Sequence, residues 1–124
     1  MEPYYNEDKT KVAVLVSHGF GAGWSTWNDE SLAWDSRVVE WWLNHHSQEY
    51  GRALERSGMF NTLPSPEYIE FTEKLKEWGY GRVYMGGYVD IALHWVDAYR
   101  RWRIEEYDGS EYIVYADEQK WNSF

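Results

Sequence analysis

The sequence predicts an α+β domain: an N-terminal strand, two or three helices on one face of a mostly antiparallel sheet, and a C-terminal β-hairpin. Three observations carry that prediction. Val12-Ala13-Val14-Leu15-Val16 is an apolar run rich in β-branched residues, the mark of a buried strand. The middle of the chain carries helix starts followed by apolar residues at steps of three and four. The last third alternates apolar and polar residues around Asp108-Gly109, a pair favoured in two-residue hairpin turns.

Taken in order, the first strand runs into Ser17-His18-Gly19-Phe20-Gly21-Ala22-Gly23-Trp24-Ser25-Thr26-Trp27. Three glycines at alternate positions predict a loop with positive φ angles and exposed backbone N–H groups. Asn28-Asp29-Glu30-Ser31 offers helix caps. Trp34, Val38, Trp41 or Trp42, and His45 then predict a helix from about Ser31 or Asp35 to His46. Gln48 to Arg56 is a weaker helical segment closed by Gly58, and Met59 to Leu63 reads as a connector. Ser65-Pro66-Glu67 starts a further helix, with a capping serine, proline at the first helical position and an acid in the first turn. Tyr68, Phe71, Leu75 and Trp78 form its aromatic face, Glu70 and Lys74 an i,i+4 pair, and Gly79 its end. Ile91, Leu93 and Trp95 alternate as a strand. A turn of only Asp108 and Gly109 pairs Ile104 with Ile113 and Trp102 with Tyr115 on one face. On the other it sets Arg103 opposite Val114 and Glu105 opposite Tyr112.

Composition narrows the function classes. The 124 residues, 1–124, suit a single domain able to bury one core. With no cysteine, disulfides and thiolate metal sites are excluded. No apolar stretch nears the roughly 20 residues of a membrane span. The acidic start, Met1-Glu2-Pro3-Tyr4-Tyr5-Asn6-Glu7-Asp8, lacks the apolar core of a signal peptide, which predicts the cytoplasm. Twenty-one acidic residues against 12 basic ones, a net charge of −9, argue against direct binding to nucleic acid or to an anionic membrane. The same charge suits docking on a basic protein surface. Nine Trp, 11 Tyr and 4 Phe must supply much of the core, and several of these rings should sit half exposed, where they serve interfaces.

The chemical motifs point away from catalysis. The glycine loop misses the dinucleotide fingerprint, because Trp24 stands where its third glycine belongs, and no Walker-type Gly-Lys-Ser/Thr follows. His18-Gly19-Phe20-Gly21 is similar to the oxyanion loop of α/β-hydrolases, but there is no Gly-x-Ser-x-Gly elbow. A minimal hydrolase or transferase using His18 and Ser25 is therefore the weakest reading. His18, His45, His46 and His94 show no helical metal spacing, so no metal and no cofactor are expected. His18 stands out among them, at the mouth of the loop. Arg100-Arg101-Trp102-Arg103 is the lone basic cluster; it either grips a small anion or pairs its arginines with nearby acids. Glu105, Glu106, Asp108 and Glu111, with Tyr107 among them, read as a solvated acidic patch at the hairpin tip that, with Arg103, is a candidate surface for a basic partner.

Gly19-Phe20-Gly21-Ala22-Gly23-Trp24-Ser25-Thr26-Trp27 and Arg103-Ile104-Glu105-Glu106-Tyr107-Asp108-Gly109-Ser110-Glu111 together resemble the two signature blocks of a family of small phage and prophage proteins. The resemblance covers the first and last thirds of the chain; the middle, Gln48 to Tyr80, carries none. It implies a mobile-element origin, residence in the host cytoplasm and a part in the contest with host defences; it implies no catalytic residues. The leading expectation is a non-enzymatic viral inhibitor of a host protein with a basic surface, for instance an anti-CRISPR type of protein acting on a nucleic-acid-targeting complex. The alternative is a binder of a small anionic ligand such as a nucleotide signal, held by the loop amides, Trp24 or Trp27, and an arginine. Association with a second copy of the chain is left open.

Overall fold

A computed structural model describes residues 1–45 and 66–116, the side chains of 66–68 aside. The elements run β1 (Lys11–Ser17), α1 (Ser36–His45), α2 (Pro66–Glu77), β2 (Ile91–Asp97), β3 (Trp102–Tyr107) and β4 (Ser110–Tyr115). This is the α+β order that the sequence predicts. The helical reading of Gln48 to Arg56 and the connector Met59 to Leu63 lie outside the described residues. The antiparallel pairing falls into two separate two-stranded sheets, β1–β2 and β3–β4.

β1 explains that division. Its alternate side chains enter two different cores. Ala13 and Leu15 join Trp24, Val38, Val39, Trp41, Phe71, Leu75 and Tyr88, the core beneath both helices. Val12, Val14 and Val16 turn the other way and meet Val96, with Trp102, Ile104, Ile113 and Tyr115 of the hairpin packed against them. The helices therefore cover one face of β1–β2 and the hairpin lies across the other. With Val14, Leu15 and Val16 all at 0% exposure, the unbroken apolar run is the pattern of a strand buried on both sides. Each such side chain contributes about 1.5–3 kcal/mol.

Rings fill the helix-side core as composition requires. Phe71 stacks on Trp41 with centroids 5.2 Å apart and planes 5° off parallel, and Trp24 meets Tyr88 edge-on at 5.8 Å. Trp24 keeps its indole N–H satisfied by donating to the Leu32 carbonyl at 3.1 Å. The helix predicted to begin at Ser31 or Asp35 is divided: Glu30–Ala33 forms a 3-10 turn capped by the Asp29 side chain, and α1 starts afresh at Ser36. α2 stops where Gly79 takes φ +95° and Tyr80 donates its N–H to the Leu75 carbonyl at 2.9 Å. On its surface Lys74 pairs with Glu77 at 3.4 Å, the acid on the far side of it from the expected Glu70.

Asp35 is the cap of α1, and it is wholly buried. Its side chain accepts from the Arg37 backbone at 3.0 Å, from the Arg37 guanidinium at 2.8 and 3.1 Å, and from the Tyr80 hydroxyl at 2.6 Å. Burial opposes the charge on Asp35, but the hydrogen bonds from Arg37 and Tyr80 outweigh it and hold its pKa below the ordinary value. Burial, followed by the bond to Asp35, pushes the Tyr80 phenol up to about 12.

Candidate functional site: the junction of glycine loop and hairpin

The two sequence blocks that stand out as motifs meet in space. The hairpin turns at Asp108-Gly109 with φ angles of +48° and +87°, the double positive φ of a type I′ turn. Trp102 faces Tyr115, Arg103 Val114, Ile104 Ile113 and Glu105 Tyr112, the register expected from a two-residue turn. The glycine loop then folds onto this turn: Gly21 donates its N–H to the Asp108 carbonyl at 2.5 Å, and Ser110 Oγ donates to the His18 carbonyl at 3.1 Å.

The loop glycines answer two different needs. Of Gly19, Gly21 and Gly23, Gly21 alone has positive φ, at +95°, so the expectation of three left-handed glycines is corrected to one. A Cβ on Gly23 would collide with Thr26 and Trp27, and one on Gly19 with the Asp90 carboxylate. Their requirement is space. Gly109 needs both, since a Cβ there would run into the Ala22 backbone.

Glu111 holds the junction together. It is 0% exposed, which corrects its placing in a solvated tip patch. Oε1 accepts from the Ser17 N–H at 2.9 Å. Oε2 accepts from the Trp24 N–H at 2.8 Å, the Thr26 N–H at 3.0 Å and the Thr26 hydroxyl at 2.6 Å. Of the loop amides expected to stand open for a ligand, those of Trp24 and Thr26 are thus turned inward onto a carboxylate of the chain itself, and that of Gly21 onto the Asp108 carbonyl. Trp24 is likewise corrected: at 0% exposure its ring is core and offers no stacking face.

Trp27 faces outward. It is 44% exposed and stacks on Tyr84, itself 50% exposed, with centroids 5.8 Å apart and planes 17° off parallel. Asn28 fixes the pair by donating to the Tyr84 carbonyl at 2.9 Å and accepting the Tyr84 N–H at 2.8 Å. The Trp27 indole N–H reaches Glu106 at 3.4 Å, while the same carboxylate oxygen accepts the Gly109 N–H at 2.7 Å. Beside them runs an open groove of about 530 Å³, whose polar lining includes Thr26, Asn28, Glu30, Arg103 and Glu106. Arg103 pairs with Glu105 at 2.5 Å, and Arg100 lies 3.7 Å over the Tyr115 ring, so two arginines of the basic cluster have partners within the hairpin. Tyr107 and Phe20 are exposed on the same loop and hairpin, at 74% and 72%.

His18 brings in a residue that sequence spacing does not reveal. Its Nε2 lies 2.7 Å from Nε2 of His94, 76 positions away, on the neighbouring strand. Burial, then the neighbouring His18, lowers the His94 pKa from the ordinary histidine value. Ser25 is buried, at 3% exposure, and the hydrogen-bond partner of the His18 ring is His94. No helix among the described residues is long and apolar enough to cross a membrane. The chain matches no protein-family model, no curated protein and no solved structure.

Proposed function

We propose that the chain is a non-enzymatic binding protein that occupies a basic surface of another protein. One observation carries the reading: the Gly21, Trp24 and Thr26 amides of the loop are bonded within the chain, and the outward Trp27–Tyr84 stack, edged by Glu106, stands prearranged at the junction. Trp and Tyr are among the residues enriched in interface hot spots, and an overall charge of −9 speeds encounter with a basic partner. For a mobile-element protein of the kind its motifs resemble, that partner is a host defence protein such as a nucleic-acid-targeting complex, met in the host cytoplasm.

The test begins with mass spectrometry of what co-purifies from host lysate, followed by association kinetics with the purified partner. Trp27→Ala should speed dissociation by about tenfold or more, a hot-spot effect. Reversing Glu30, Glu105 and Glu106 to Lys should slow association and flatten its salt dependence. Kinetics unchanged in both variants would refute the reading. The second reading, capture of a small anionic ligand, rests on Arg103 in the groove. A nucleotide that raises the melting temperature, with the rise lost in Arg103→Ala, would favour it.

A further inference from the structure

We propose that His18 and His94 form a chelating site for a divalent late transition metal, copper or nickel in class, independent of the binding surface around Trp27. The pair is built by the β1–β2 ladder. His18 follows the end of β1 and donates its backbone N–H to the Asp90 carbonyl at 3.2 Å, while His94 sits in β2 opposite Val14. Strand alternation sets Ala92 and His94 on one face of β2, with small Ala92 between the positions the two rings bridge. The rings meet edge to face, 76° apart with centroids separated by 4.9 Å, and their Nε2 atoms converge to 2.7 Å.

That separation is shorter than any chelate requires, and the choice of metal rests on the imidazole donors. Two nitrogens about 2.0–2.1 Å from one ion are about 2.9 Å apart at a right angle and about 3.3–3.4 Å apart at the tetrahedral angle. At 2.7 Å with centroids 4.9 Å apart the two rings meet head-on as a hydrogen-bonded pair, so both rings turn and their Nε2 atoms part by a few tenths of an ångström to seat an ion. Imidazole suits Cu²⁺ and Ni²⁺, and copper heads the affinity order of the divalent first-row metals. In the metal-free pair one ring donates its Nε2 proton to the other. Moving that proton to Nδ1 through solvent frees both Nε2 lone pairs for the ion with no net change in protons. Among the described residues no group of three or more His, Asp or Glu is placed to hold a metal, so water fills the remaining positions. His18 is exposed, which leaves the site open to incoming ions.

Titration of the full chain with Cu²⁺ at neutral pH, followed by electron paramagnetic resonance, tests the site. The expected result is one ion per chain with the signature of two coordinated nitrogens. His18→Ala and His94→Ala should each weaken binding about tenfold or more, whereas His45→Ala, whose ring nitrogen is occupied by the Trp41 carbonyl at 2.8 Å, should not. One ion per two chains, lost in the same variants, also supports the pair as the donor. Should His94→Ala fail to fold by circular dichroism, His18→Ala, at an exposed ring, decides alone. Copper binding of equal strength in the wild type and in His18→Ala would overturn the proposal.

Discussion

Glu111 and Asp35 are both carboxylates without exposed surface, and they are satisfied in opposite ways. Asp35 faces a guanidinium and a phenol, and Arg37 remains 39% exposed by its side chain. Glu111 faces three backbone amides and one hydroxyl, all neutral. Removing Asp35 releases partners that water can reach in part. Removing Glu111 strands amides that are fixed by the backbone and have nowhere to turn. A buried donor left unpaired costs about 1–3 kcal/mol, so the backbone-bound carboxylate is the less replaceable of the two.

The largest expected effect tests that ranking directly. Glu111→Ala should lower unfolding free energy by about 3–5 kcal/mol, against about 2–3 for Asp35→Ala, both read by urea denaturation. An equal or larger loss at Asp35 would break the comparison. Glu111→Gln sharpens it further. Its carbonyl can serve the three donors on the Oε2 side, but its amide then confronts the Ser17 N–H, and about 1–3 kcal/mol should still be lost.

A smaller effect separates the glycines on the two sides of the same junction. Gly109→Ala combines strained φ with overlap of the Ala22 backbone and should cost about 2–3 kcal/mol. Gly21→Ala meets only the strain, since nothing lies within 4 Å of its Cβ position, and should cost about 1 kcal/mol. Thermal melts of the two variants check the order. If Gly21→Ala proves the worse, turn strain outweighs close packing at this contact.

The smallest effect is the pH response of the Asp35 side. Its folded pKa lies below the ordinary 3.8, so its contribution is complete above that value and fades as pH falls through the folded pKa. Tyr80 behaves in the opposite sense: raised from 10.0 to about 12, it stabilises below pH 10 and loses that contribution between about 10 and 12. Tyr80→Phe should abolish the alkaline limb and weaken the acid limb, as measured by denaturation across pH. An unaltered alkaline limb would show that another group titrates there.

The fold was largely legible because its signals are local. Asp108-Gly109 fixes the turn, the turn fixes the register, and the alternation of Trp102, Ile104, Ile113 and Tyr115 fixes the buried face. The site was less legible because its contacts are long-range. Glu111 reads from the sequence as a tip acid, although it shares a face with Ile113 and Tyr115; that alternation is the available signal for its burial. Nothing in residue spacing tells that the Ser17, Trp24 and Thr26 amides converge on it. The His18–His94 contact is hidden for the same reason. The close approach at Gly109 is set by tertiary packing, which no local pattern encodes.

The Ser17–Glu111 bond spans 94 positions, and the ladder that seats His94 opposite Val14 spans nearly as many. A growing chain therefore exposes β1 long before any of its strand partners has been made. Until β2 emerges, the apolar run Val12–Val16 must be sheltered or stay without its strand partner, open to aggregation. Closing such long loops before they are rewarded predicts slow folding for a chain of this size. Once closed, the amides of Ser17, Trp24 and Thr26 are released together with the hairpin, and their hydrogen exchange should report opening of the whole junction.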